Sequence, residues 1–229
     1  MQFNTTQREL TLKIVYYGPA LSGKTSNLQA LHSLLDPESR GRLTTLDTKG
    51  DRTLFFDLLP VQFVTKSGIK VKIKLFTVPG QVIHEATRRI VLQGADAVVF
   101  VADSQRSATQ TNNESFRNMH QNLRANGLDP DNIPTVVQFN KRDLADIRSD
   151  EELAEFARRG REPVYRAVAI RAEGVAETLQ GVLQELWRTL EEQHQFSRKF
   201  SVTQKEFIGG IFTVLKLSRP MNAQAEVTR

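Results

Sequence analysis

Cysteine is absent from the 229 residues, so neither a disulfide framework nor a thiolate metal site is open to this chain. No apolar run approaches the ~20 residues that a bilayer-spanning helix needs. Residues 1–13 also lack the apolar stretch of a secretory signal. These absences lead us to expect a soluble, cytoplasmic protein without stable membrane insertion. Surplus charge is equally scarce where it would matter. The formal net charge is +5, but six Lys/Arg against two Asp/Glu within residues 196–229 account for four of those charges. A nearly neutral body argues against a broad polyanion-binding face, so no nucleic acid is expected as a partner. Internal repeats and low-complexity tracts are absent too. What is present, 39% apolar residues, can fill the core of one ordinary domain and leave room for an extension.

The stretch Gly18-Pro19-Ala20-Leu21-Ser22-Gly23-Lys24-Thr25 fits the pattern G-x-x-x-x-G-K-[ST], with an apolar run before it and a helical pattern after it. Gly18 and Gly23 let the backbone turn its N–H groups inward onto phosphate oxygens, and Leu21, Ser22 and Ser26 complete the phosphate-facing segment. Lys24 brings a flexible point charge to the β- and γ-phosphates, and the Thr25 hydroxyl can ligate Mg²⁺. The next helix adds its positive dipole end.

Around this loop the pattern predicts strands over residues 10–17, 61–65, 69–76, 97–102, 134–139 and 164–170. Helices are predicted from residue 24 to the Asp36-Pro37 stop, and over 84–93, 114–125, 149–159 and 175–195. Residues 40–60 read as a long functional loop. Strands alternating with helices define a three-layer α/β fold with a mostly parallel central sheet and one antiparallel hairpin, turned at Lys66-Ser67-Gly68. Ligands of such sheets bind at the carboxyl ends of the strands. The loop at 18–25, residues 77–81, residues 140–143 and the turn after Ile170 each follow a strand, so four segments converge on one rim.

Asn140-Lys141-Arg142-Asp143 fits the N-K-x-D pattern that reads a guanine base. A carboxylate at Asp143 can accept from both N1–H and the exocyclic N2–H₂ of guanine, whereas adenine would leave it unpaired. The Lys141 stem can lie over the purine, and Asn140 can tie this loop to the phosphate loop.

Residues 13–18, Asp51-Arg52-Thr53-Leu54-Phe55-Phe56-Asp57, Thr77-Val78-Pro79-Gly80-Gln81 and the 140–143 run together resemble the MglA-like branch of bacterial Ras-superfamily small GTPases, over roughly residues 8–195. The resemblance implies a GTP/GDP switch with Mg²⁺ that regulates cell polarity and gliding or twitching motility through effectors. It implies a roadblock-type, MglB-like activating protein as partner. It further implies a cytoplasmic protein that can take a polar or inner-membrane-peripheral station. By position, Thr53 would sense the γ-phosphate through the metal, Gly80 would lie at the phosphate end, and Gln81 would orient the attacking water. Arg52 would be an arginine finger supplied by the chain itself. Ala169 and Ile170 would be the backbone contacts to guanine O6.

One departure stands out. Where D-x-x-G places an aspartate near the metal, this chain has Thr77, which leaves Thr25 as the clearest metal ligand, joined by Thr53. That substitution keeps open a second reading, a GTP-holding scaffold with little turnover. A third, an ATP-using P-loop kinase, conflicts with Asp143. Apolar residues at 55, 56, 58 and 59 read equally as core or as partner surface, and His84, Arg88 and Arg89 read as partner-facing. Residues 1–195 form the expected G domain. Residues 196–229 form a basic, apolar extension whose Gly209-Gly210 pair should make an unbroken helix costly. It can fold back, dock a partner or lie on a membrane surface, with docking onto protein preferred and the end from residue 221 disordered. The guanine assignment predicts that Asp143→Asn weakens GTP binding by at least tenfold and erodes discrimination against other purine nucleotides, measured by competition binding. Unchanged discrimination would sink it.

Overall fold

Period-2 burial builds the sheet. In β5 (Lys70–Thr77), Val71, Ile73, Leu75 and Thr77 point inward, while Lys70, Lys72 and Lys74 face out. The computed structural model describes residues 1–47, 55–215 and 227. In sheet order β5 is flanked by β4 (Phe55–Val64) and β2 (Glu9–Tyr17). Outward from β4 lies β3 (Thr44–Asp47). Beyond β2 come β6 (Ala97–Asp103), β7 (Thr135–Asn140) and β8 (Val164–Arg166), and β1 (Gln2–Asn4) also pairs with β2. The run β5-β2-β6-β7-β8 is parallel, and β1–β2, β3–β4 and β4–β5 are antiparallel. Every residue of β6 and β7 is buried, as expected of strands at the centre of a parallel sheet covered on both faces.

Helices cover both faces. On one, α1 (Lys24–Leu34), α5 (Val175–His194) and α7 (Gln204–Val214) pack Leu28, Leu31, Leu179, Val182, Leu186 and Ile211 against Leu12, Ile14, Ile73 and Val99. On the other, α2 (Glu85–Leu92), α3 (Thr109–Ala125) and α4 (Asp150–Arg159) pack Val91, Met119, Leu123 and Leu153 against Val15, Phe100 and Phe139. The capping box of Ser149 with Glu152 starts α4 at the residue its sequence marks. The three-layer fold with its hairpin is the expected one.

Several local expectations need correction. The stretch 40–60 is not one long loop, because β3 and most of β4 lie in it. Asp57 and Pro60 obscured a period-2 pattern in which Leu59, Val61 and Phe63 are buried. The strand expected over 164–170 ends at Arg166, and Ala169–Arg171 is a 3-10 turn. Helix α3 begins five residues before the expected start, in a polar first turn without an apolar stripe. Strand β1 was not anticipated.

The glycine pair does not interrupt α7. A capping box of Thr203 with Glu206 starts the helix, and Gly210 lies where any Cβ would stand 2.3 Å from the Phe63 ring. Close approach to β4 thus offsets the weak helix propensity of glycine. Between α5 and α7, the short α6 (Phe196–Phe200) adds Phe196 to an aromatic cluster with Trp187 and Phe207, whose ring centroids stand 5.4–6.2 Å apart. The extension therefore folds back on the domain through residue 215: Asp36 N–H donates to the Val214 carbonyl at 2.7 Å, and Leu35 bridges Leu215. Of the end from residue 221, only Val227 is described; its N–H donates to the Val164 carbonyl at 2.8 Å. Phe207→Ala should cost about 3–5 kcal/mol of stability because it empties a fully buried ring site. Thermal or urea unfolding of the full chain checks this, and a loss below about 1 kcal/mol would mean that the extension is peripheral.

Candidate functional site

The loop from Gly18 to Gly23 leaves the carboxyl end of β2 and enters α1 at Lys24. Gly23 has φ +99° and Gly18 φ +149°; a Cβ on Gly18 would meet the Val101 carbonyl oxygen at 2.2 Å. Leu21, also left-handed at φ +61°, is exposed, and the Ser22 hydroxyl is buried without a hydrogen-bond partner. The Lys24 ammonium is buried and donates to the carbonyls of Gly18 at 2.9 Å and Pro19 at 2.6 Å. Burial, reinforced by the Arg88 charge and opposed by Asp57, lowers its pKa to about 7. A buried cation among neutral carbonyls and an orphaned hydroxyl mark a cradle suited to a phosphate group. A cleft of about 590 Å³ opens there, bounded by Lys24, Thr25, Asp57, Gly80, Gln81 and His84.

Asp57 is the residue that sequence reasoning missed. It is 4% exposed, and its Oδ2 accepts from Thr25 Oγ1 at 2.7 Å and from Thr77 Oγ1 at 2.9 Å. Its Oδ1 accepts from Thr45 Oγ1 at 2.8 Å, while its own N–H donates to Thr77 Oγ1 at 2.9 Å. Thr77 thus orients a carboxylate that arrives from the neighbouring strand. The signal was available: Asp57 shares strand parity with the buried Leu59, Val61 and Phe63, so it points toward the face covered by α1. One carboxylate with hydroxyls beside a phosphate cradle suits Mg²⁺, which takes few protein oxygens and completes its shell with phosphate and water. Among the described residues no group of three or more His, Asp or Glu could hold a metal alone. The residues therefore fit a Mg²⁺ carried in together with a phosphate ligand.

The base-side segments meet the same rim. Asn140 Nδ2 donates to the Ser22 carbonyl at 2.8 Å, and Asn140 Oδ1 accepts from the Ala169 N–H at 2.9 Å. One amide therefore joins three loops. Lys141, with φ +65°, pairs through Nζ with Asp103 Oδ2 at 2.6 Å; Asp103 was not among the expected residues. Asp143 lies 3.9 Å from the Arg171 guanidinium. Ala169 is buried and Ile170 exposed.

On the phosphate side, Gly80 sits so close that a Cβ would stand 2.3 Å from Ala20 Cα. Ser26 follows Thr25 in the first turn of α1, and Gln81 precedes the 3-10 turn Val82–His84 with its side chain exposed. Arg88, expected to face a partner, is 4% exposed and pairs with Glu85. Arg52 and Thr53 lie outside the described residues.

A loop fit to cradle phosphate at the switch from strand to helix, with the loop at residues 140–143 fastened to it across a parallel sheet, defines the chain as a P-loop protein with the G-domain arrangement of small GTPases. No protein-family model matches it. Among curated proteins it is 46% identical over 179 residues to Mutual gliding-motility protein MglA of Myxococcus xanthus, a match covering 78% of this chain and 92% of that protein. The chain belongs to the MglA-like small GTPases.

The lowered lysine value predicts proton uptake on nucleotide binding. Above about pH 7 part of the free protein carries a neutral Lys24; phosphate oxygens favour the charged form and raise its pKa. Binding at pH 8 should therefore take up nearly one proton per nucleotide, and affinity should fall as pH rises through 7. Calorimetry in two buffers of different ionisation enthalpy measures this, and zero uptake would contradict it.

Proposed function

We propose that this chain is a GTP-binding and GTP-hydrolysing molecular switch that acts in cell motility and polarity through nucleotide-dependent effector binding. The observation that carries the hydrolytic part is the buried Asp57 carboxylate held against Thr25 by Thr77 and Thr45. It offers from β4 the negative oxygen that a D-x-x-G aspartate would offer from the end of β5. The scaffold reading was motivated by Thr77 in place of that aspartate, and a carboxylate at Asp57 supports the hydrolytic reading instead.

In this reading the backbone N–H groups of Gly18 to Gly23, with Ser22, Lys24 and Ser26, bind the phosphates. Thr25, Thr53 and Asp57 hold Mg²⁺, whose chemistry there is to neutralise charge on phosphate oxygens. Asn140 holds the base loop in place, Lys141 covers the purine, Asp143 pairs with guanine, and the Ala169 and Ile170 backbone borders the base. Gln81 orients the water that attacks the γ-phosphorus as the bond to the β-phosphate oxygen breaks, and Arg52 stabilises the charge that develops. GDP and phosphate are the products.

The motility role rests on the relative's name. An MglB-like roadblock-type activator and polarity effectors are the proposed partners. Ile83 and Ile90, 83% and 54% exposed beside Gln81 and along α2, offer apolar surface for them. No helix among the described residues is long and apolar enough to cross a membrane.

Single-turnover GTP hydrolysis, with and without a roadblock-type partner, tests the function. We expect phosphate release that Arg52→Ala slows by about 10³-fold or more while GTP affinity stays within a few-fold. Asp57→Asn should instead weaken the Mg²⁺ dependence of nucleotide affinity by about tenfold or more. No release under any condition would replace the switch with a scaffold.

A further inference from the structure

Behind the phosphate site, on the face covered by α2 and α3, runs a chain of hydrogen bonds that none of these roles uses. Tyr17 directly precedes Gly18 and its ring is fully buried. Its hydroxyl donates to Asn118 Oδ1 on α3 and accepts from Asn122 Nδ2 at 3.2 Å. Asn118 Nδ2 reaches across to α2 and donates to both Glu85 carboxylate oxygens, at 3.0 and 3.1 Å. Glu85 in turn pairs with Arg88 one turn further along α2.

The chemistry fixes the direction of every bond. Burial pushes the Tyr17 phenol up to about 12, so its hydroxyl keeps its proton at any working pH. Burial alone would raise the Glu85 carboxyl, yet hydrogen bonds from Asn118 and Asn122 and the Arg88 guanidinium hold it below the usual carboxylate range. Position 118 must accept from a phenol and donate to a carboxylate at once. Among side chains of this length only an amide does both. Aspartate there would set a second negative group against Glu85, and leucine would deprive the buried Tyr17 hydroxyl of its acceptor and cut its link to Glu85.

Glu85 is the first residue of α2, directly after the turn that begins beyond Gln81. Gln81 itself is exposed, so its placement comes from the backbone that leads into α2. We propose that Asn118, backed by the Tyr17 hydroxyl, is a positioning residue that locks the start of α2 to the end of β2, and so holds the Gln81 segment in one frame with the phosphate loop. The catalytic consequence rests on the hydrolytic reading above; the mechanical one does not.

The test compares Asn118→Leu and Tyr17→Phe with the natural full-length chain, reading kcat and KM for GTP alongside amide hydrogen exchange. Asn118→Leu should lower kcat about tenfold and Tyr17→Phe about threefold, with KM within twofold. Exchange over residues 85–92 should accelerate in both variants, while that over 150–159 in α4 stays unchanged. An unaltered kcat, a matching rise in KM, or acceleration spread across both helices would overturn the assignment. If the natural chain turns over no GTP, the hydrolytic reading fails by itself, and the exchange arm still decides: unchanged α2 protection in Asn118→Leu removes the positioning role.

Discussion

Two side-chain amides, Asn27 on α1 and Gln138 on β7, face each other in the interior and exchange hydrogen bonds of 2.8 and 2.9 Å. Both residues are fully buried, so each unmatched amide atom would carry a full desolvation cost. None is left unmatched. Asn27 also donates to the Gly23 carbonyl, and Gln138 to Thr178 on α5, whose hydroxyl closes onto the Gly174 carbonyl at 2.6 Å. Sliding α1, β7 or α5 by one residue breaks several of these bonds together. The apolar contacts around them would tolerate such a slip far better. The polar pair therefore sets the register in which α1 meets β7, a specifying role open to a buried network only when every member is satisfied.

From that frame the electrostatics of the site follow. Lys24 and Arg88 bring positive charge into a poorly hydrated pocket, and Asp57 balances part of it. Before a ligand enters, the ammonium satisfies its donors on two backbone carbonyls, which is a weaker arrangement than phosphate oxygens would give. The free site is thus held in an electrostatically unfavourable state that a polyanion relieves. On the proposed reading, desolvated charge favours a polyphosphate alongside the shape of the loop.

Motifs confined to a few consecutive residues were readable because their chemistry is local: Gly18 to Thr25 needs its turn, and Asn140 to Asp143 its strand end. The α/β alternation was equally plain in buried strands such as β6. Asp57 was overlooked because its partners, Thr25, Thr45 and Thr77, lie 12 to 32 positions away and meet only through strand pairing. Strand β3 carries no distinctive pattern of its own, and pairing with β4 defines it. In α7, tertiary packing overrode intrinsic propensity, since Gly210 serves the approach to Phe63. Arg88 looked like surface because a charged residue on an amphipathic helix usually is; it is buried, and its guanidinium reaches the half-exposed Glu85 three positions earlier.

The aromatic residues of the extension carry a consequence for how this protein is made. Phe200 packs against Phe3 with tilted rings 4.4 Å apart, Phe196 and Phe207 enclose Trp187, and Phe207 meets Phe63 at 6.3 Å. Strand β1 and the strand bearing Asp57 thus share a core with helices that follow every nucleotide-binding motif in chain order. A nascent chain that has exposed every nucleotide-binding motif still lacks part of its interior. Until residue 215 clears the exit tunnel, an apolar surface fit for α7 stays open to chaperones or to neighbouring nascent chains. Completion of the fold is therefore timed to the synthesis of α7 rather than to the appearance of the site.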